Sequence, residues 1–134
     1  MELRNVVLTE ADYGRLQQLI ESTRRAAKEN TEYLEQGLEH ATVVKSEEIP
    51  SDVMTMNSCA RLKDLNSGHE FIYQIVFPRD ADIAENRISV LAPIGTALLG
   101  LAAGSTIELQ APSGMRRFRI LGVVFQPEAA GLAA

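Results

Sequence analysis

The chain has no tryptophan, one cysteine, two histidines and only 5% aromatic residues. A single thiol, Cys59, excludes an internal disulfide framework and fits a reducing compartment, so the cytoplasm is the expected location. His40 and His69 are far apart and Cys59 stands alone, so no spacing matches a zinc site or a nucleophile with its base. Neither a catalytic residue, a bound metal nor a cofactor is expected. Long hydrophobic runs are missing too, and none approaches the roughly twenty residues that cross a bilayer. The start, MELRNVVLTEADYG, lacks a basic segment followed by an apolar one, so neither a secretory signal nor membrane insertion is expected. Basic charge is also in deficit: 13 Lys and Arg stand against 18 Asp and Glu, a net charge of −5. That balance argues against direct, sequence-specific nucleic-acid binding, which needs cations clustered on one face.

What remains is an ordinary globular composition, 46% hydrophobic and 23% charged over 134 residues, enough for one modest core and an appendage. Splitting the chain after Glu48 leaves most of the net negative charge in the first part, which suggests two regions. In the first, Thr9 followed by Asp12 is an acidic variant of the helix-capping pattern. Tyr13, Leu16, Leu19 and Ile20 then recur at helical spacing, with Arg15, Gln17, Gln18 and Glu21 on the wet side. A second helix is predicted from Asn30 or Thr31, with Leu34, Leu38 and Ala41 as its stripe. Two narrow stripes joined by a polar link predict an antiparallel hairpin, each helix about a dozen residues and roughly 20 Å long.

The polar stretch KSEEIPSD, residues 45–52, carries Pro50 and marks a boundary between regions 1–48 and 49–134. Beyond it the pattern turns to strands: Val53–Leu62, then Glu70–Phe77 with apolar residues on both faces, as a central strand requires. LNSGHE supplies the turn between them, and APSG joins STIEL to MRRFRILGVVF as a hairpin. Within that last strand the apolar parity switches between Ile120 and Val123, which predicts a bulge at Gly122. The segment ISVLAPIGTALLGLAAG, residues 88–104, reads as a buried strand broken at Pro93 and continued by an apolar helix to about Leu101. The fold class expected is α+β: an antiparallel sheet with one packed helix, preceded by the helical hairpin.

Gly95, Gly100 and Gly104 follow a G-x4-G-x3-G spacing, but no Lys-Ser/Thr follows, so they read as helix packing and a stop at Gly104, not as a phosphate loop. Glu47 with Glu48, and Glu32, Glu35 and Glu39, read as a solvated linker and a helix face, because metal-binding carboxylates must converge.

Several stretches carry a resemblance. ADIAENRISVLAPIGTALLG resembles the segment of the bacterial Gre transcript-cleavage factors that runs A-D, N, I-S-V and a Pro-led helix ending in L-x-G, and IELQAPSGMRRFRILGVVF resembles the hairpin after it. IPSDVMTMNS, APIGTALLGL and FQPEAAG resemble the signatures of a Gre-related family, the regulators of nucleoside diphosphate kinase. The resemblance implies a short N-terminal coiled coil on an FKBP-like C-terminal domain that docks on RNA polymerase near its secondary channel. Asp82, Asn86, Ser89 and Pro93 match the Gre pattern and would form the polymerase-binding surface, whereas Leu91-Ala92 departs from the Asn-Ser that cleavage factors tend to carry. By themselves, Pro93 also reads as a first-turn helix residue and Asp82 and Asn86 as caps of their own loop.

Gre cleavage factors bring acidic residues on a long coil to the polymerase active centre. Here the link ESTRRAAKEN puts Arg24, Arg25 and Lys28 at the coil tip, and cations oppose metal recruitment. FKBP-like prolyl isomerase activity needs an aromatic-lined pocket that this composition does not favour. The sequence therefore predicts a non-enzymatic, RNA polymerase-binding regulator that competes with Gre factors without stimulating cleavage. A transcript-cleavage factor, and a regulator acting on nucleoside diphosphate kinase and nucleotide metabolism, are the alternatives.

Overall fold

Thr9 is where the first helix can start, and it does. The structure, a computed structural model, describes residues 6–26 and 31–132. Helix α1 (Glu10–Ala26) opens with the Thr9 Oγ1 accepting the Asp12 amide at 3.1 Å, which satisfies one of the free donors of the first turn. Leu16 and Ile20 are buried as the stripe predicts, while Gln17, Gln18 and Glu21 are exposed. The helix has 17 residues, longer than the predicted dozen, about 25 Å at 1.5 Å per residue. Helix α2 (Glu32–Glu39) is shorter than predicted at 8 residues and buries Leu34 and Leu38. The link 27–30, including the predicted tip residue Lys28, lies outside the described residues. Arg24 of α1 meets Glu35 of α2 at 2.7 Å.

The helices do not stand apart from strand structure. The strand β1 (Val7–Thr9) runs straight into α1, and β2 (Thr42–Val44) follows α2; the two pair in parallel as a small sheet of their own. No alternation long enough to signal a strand exists in three residues, so this pairing was not predicted. The β-branched Val7, Thr9, Thr42, Val43 and Val44 suit it.

The main sheet has five strands in the order β5-β4-β3-β7-β6, where β3 is Cys59–Asp64, β4 Glu70–Val76, β5 Arg87–Ser89, β6 Thr106–Ala111 and β7 Gly114–Phe125. It is antiparallel except that β5 runs parallel to β4. A wholly antiparallel sheet is what the sequence predicts. Single 3-10 turns at Pro78–Asp80 and Ile83–Glu85 reverse the chain between β4 and β5, so it re-enters in the original direction. β4 is flanked on both sides, as its two-faced apolar pattern predicts.

The strand predicted from Val53 begins only at Cys59. Residues 54–58 alternate like a strand, but the Thr55 amide donates to Ser58 Oγ at 3.0 Å, the Ser58 amide to Thr55 O at 3.1 Å, and Asn57 takes φ 68°, which together make a turn. The predicted bulge is present: Arg61 pairs with Gly122 and Leu62 with Ile120, leaving Leu121 unmatched. Helix α3 is Pro93–Leu98, ending three residues before the predicted Leu101. Gly100, at φ 78°, turns the chain two residues after α3, ahead of the predicted stop Gly104 at φ 92°, and a side chain at Gly100 would meet the Val6 side chain at 2.5 Å. The Val7 amide donates to Gly100 O at 2.9 Å and the Gly100 amide to Met54 O at 2.7 Å. These bonds draw the N-terminal strand against the corner after α3. One buried cluster joins Leu8, Leu16, Leu34 and Leu38 to Met54, Leu62, Leu98 and Ile120.

Candidate functional site

The segment from Phe77 to Pro93 gathers the four residues singled out in the sequence. Asp82 leads the turn Ile83–Glu85, and its Oδ1 accepts the Ala84 amide at 3.1 Å. Its backbone exchanges two hydrogen bonds with Arg87, each 2.9 Å, closing the loop at its neck. Asn86 ends the turn in the left-handed region, φ 57° and ψ 32°, a conformation Asn tolerates better than most residues. Asn86 O accepts the Gln74 amide at 2.9 Å, which fastens the turn to β4. Both side chains are exposed.

Ser89 closes β5. Its Oγ accepts the Leu91 amide at 3.1 Å and its carbonyl accepts the Ala92 amide at 3.0 Å. Pro93 then occupies the first turn of α3, where its missing N–H costs nothing, and is exposed. Gly95 explains the chemically silent corner: a Cβ there would collide with Ser89 O, so the helix can approach the end of β5 only without a side chain. Thr96 Oγ1 donates to Val90 O and locks the same corner. The stretch 82–93 is therefore one rigidly held loop, strand end and helix start. Its tip exposes Ile83 at 79% of its surface, a residue sequence reasoning passed over because a lone isoleucine between Asp and Ala carries no periodic signal.

At the end of α1, the two arginines of the predicted tip each hold a carboxylate: Arg24 pairs with Glu35, and Arg25 pairs with Glu21 at 2.7 Å. Among the described residues no three His, Cys, Asp or Glu side chains converge as a metal site. A cleft of about 530 Å³ between α2, α3 and β6 has Tyr33 as its aromatic lining residue. Among the described residues no helix is long and apolar enough to cross a membrane.

A buried polar cluster joins the two regions. Asp12, predicted as a cap, is 1% exposed, and its Oδ2 accepts the Met56 amide at 3.0 Å. Burial, aided by the nearby Glu128 charge, raises its carboxyl to about 6. Thr55 Oγ1 donates to Glu128 Oε1 at 2.7 Å, bringing in the tail after β7.

Residues 49–124 match the family described as "Transcription elongation factor, GreA/GreB, C-term", and residues 4–44 match "Rnk N-terminus". The chain is 33% identical over 132 residues to the "Regulator of nucleoside diphosphate kinase" of Escherichia coli K12, covering 98% of this chain and 97% of that one. It belongs to the Rnk family, related to the Gre factors. "Transcription elongation factor GreA" of Clostridium beijerinckii matches this Rnk-family chain at 39% identity over 90 residues, 67% of this chain and 56% of the relative. The solved "Prokaryotic transcription elongation factor GreA/GreB from Nitrosomonas europaea" superposes with a TM-score of 0.76 at 41% identity, covering 90% of the Rnk-family chain and all of its own. A solved "transcription factor Gfh1" is more distant, at TM-score 0.53 and 27% identity, covering 92% and 100% respectively. The named relatives are thus a regulator, elongation factors and a transcription factor.

Proposed function

We propose that this Rnk-family chain binds RNA polymerase at the site used by Gre factors, near the secondary channel, and regulates transcription without stimulating transcript cleavage. The observation that carries the reading is the pairing of a Gre-type C-terminal half, with its 82–93 segment, and a short arm in which Glu35 and Glu21 are held by Arg24 and Arg25. Docking uses the surface shaped by Asp82, Asn86, Ser89 and Pro93. On this reading α1 and α2 are the short counterpart of the Gre coiled coil, and the five-stranded sheet with α3 is the FKBP-like domain. The arm is too short to reach the catalytic metal from the channel rim. Its tip, Arg24, Arg25 and Lys28, repels a second Mg²⁺ instead of recruiting one. The protein acts through polymerase, not by direct sequence-specific nucleic-acid binding.

The test is a backtracked polymerase complex carrying 3′-labelled RNA in Mg²⁺. Added alone, the protein leaves the RNA uncleaved; added with a Gre factor, it slows cleavage in proportion to its concentration. Arg24→Asp with Arg25→Glu restores carboxylates but adds no length, so the double variant stays inactive. Cleavage by the unaltered protein would make it a cleavage factor. The full-length identity to a regulator of nucleoside diphosphate kinase favours a second reading, contact with that enzyme. Absence of both cleavage and competition, with direct binding to the purified kinase, would establish it.

A further inference from the structure

We infer that the wet face of the five-stranded sheet, centred on Arg61, Lys63, Arg117 and Arg119, docks a segment of a protein partner that carries Asp or Glu beside apolar side chains. This surface is separate from the docking reading above and does not rest on it: the 82–93 segment sits at the β5 edge, whereas these cations lie on β3 and β7. Alternation along the strands builds two unlike faces. Ala60, Leu62, Phe118 and Ile120 are buried in the core, while Arg61, Arg117 and Arg119 between them are exposed and Lys63 is half-buried. Ile72, Leu121 and Phe125 on the wet side keep 41%, 41% and 37% of their surface in water, so among the described residues no element covers this face.

Register decides the charge balance. One row across β4, β3, β7 and β6 reads Glu70, Lys63, Arg119, Thr106. Lys63 and Arg119 are therefore directly opposed like charges, which cost the free fold stability. Glu70 is the carboxylate of that row and is shared, since Arg61 reaches it at 3.9 Å. Thr106, on the far side of Arg119, brings no charge. Arg117 has its own carboxylate, Glu108 at 3.4 Å. Arg87, opposite Gln74 at the β5 edge, stands beside Asp82 and adds nothing to the balance. Four cations thus face two carboxylates, a net positive surface on a chain of net charge −5. A carboxylate seated between Lys63 and Arg119 removes their repulsion and is drawn here in preference to the acidic rest of the molecule. The adjoining rows supply the apolar half. Ile72 opposes Arg61, the bulge leaves Leu121 beside Gly122, and Phe125 lies opposite Cys59. Four strands about 4.8 Å apart give a track roughly 14 Å across, enough for about four residues of extended chain. Nucleic acid fits less well, because Glu70 and Glu108 flank the cations and Phe125 is the one ring placed beside them among the described residues, where base binding uses several.

The full chain, labelled with nitrogen-15, is titrated at low salt with a short synthetic peptide carrying Asp and Glu in one half and Leu and Phe in the other. Amide shifts concentrate on β3, β6 and β7, and the same peptide with Asn and Gln in place of the acids produces none. Arg119→Glu weakens binding about tenfold and at the same time raises the melting temperature, because it turns the repulsion with Lys63 into attraction. Loss of fold cannot produce that combination. Lys45→Glu, an equal charge change at an exposed residue outside the main sheet, alters affinity by about twofold at most. Ile72→Ser weakens binding about threefold. Absent shifts, shifts scattered over α1 and α2, or unchanged affinity in Arg119→Glu overturn the surface. Full affinity in Ile72→Ser overturns the apolar half of the partner. Oligothymidine that shifts the same amides at lower concentration than the peptide overturns the protein partner in favour of nucleic acid. Light scattering finds the unaltered chain monomeric; a dimer dispersed by Arg119→Glu makes the occupant a second copy and overturns the partner.

Discussion

Asp12 does two jobs at one position. Its amide closes the cap of α1 on Thr9, and its Oδ2 receives the Met56 amide from the chain leading into β3. Burial raises the carboxyl to about 6 from an ordinary value of 3.8. Because the folded value lies above the unfolded one, its contribution to stability is complete below about pH 4 and is lost as pH rises through 6. The expected result is a rise in melting temperature as pH falls from 7.5 to 5, worth of order 2 kcal/mol from this site. Asp12→Asn keeps an oxygen for Met56 but removes the titration, so its pH profile between 5 and 7.5 flattens; an unchanged slope would place the titration elsewhere. Asp64 works in the opposite sense. Its Arg116 hydrogen bond lowers its carboxyl below the usual range, and its Oδ1 holds the Asn66 and Ser67 amides in the turn between β3 and β4. Its stabilising part is therefore lost in acid. The cap at Thr9 was legible from sequence spacing; the reach of Asp12 to Met56, 44 residues away, was not, because only the packing of α1 brings them together.

The glycines of α1 and α3 separate local propensity from packing. Gly95 must be bare because Ser89 O occupies the space a Cβ would take, so Gly95→Ala pushes α3 off the end of β5 and costs about 1–3 kcal/mol by chemical denaturation. The same shift moves Ser89 relative to Pro93, so on the proposed docking reading polymerase binding weakens with it. A Cβ at Gly14 would meet nothing within 4 Å, and this position lies on the exposed side of α1, so Gly14→Ala raises stability by about 0.5–1 kcal/mol through helix propensity alone. If both substitutions were neutral, α3 would not depend on its close approach to β5. The strand signals were strongest where alternation was long, over β4 and β7. They failed at residues 54–58, where Thr55 and Ser58 side chains offered the backbone a turn that competes with the ladder.

At the scale of the molecule, the issue is how far the two regions depend on each other. We propose that residues 49–134 hold the five-stranded sheet and α3 by themselves, while residues 1–48 do not fold alone, since α2 spans two turns and isolated short helices are marginal. The shared core sets the cost. Removing 1–48 uncovers Met54, Leu98 and Leu101, which pack in one cluster with Leu8, Leu16 and Leu34. A chain beginning at Ile49 is therefore expected to keep a cooperative melt and near-UV circular dichroism, at a lower melting temperature and with increased dye binding to exposed apolar surface. Loss of the near-UV signal would make the whole chain one folding unit.

The amino-acid sequence by itself determined the α+β class, the helical start at Thr9, the two helix stripes, the β6-β7 hairpin with its bulge beside Gly122, and the Pro-led helix, because each is written in residues close together in the chain. Its motifs also marked 82–93 as the stretch to inspect. Only the tertiary structure decided that β5 runs parallel to β4, that β1 and β2 pair across the helices between them, and that Gly100, ahead of Gly104, makes the first turn after α3. Those features depend on contacts between distant segments, which local periodicity does not encode.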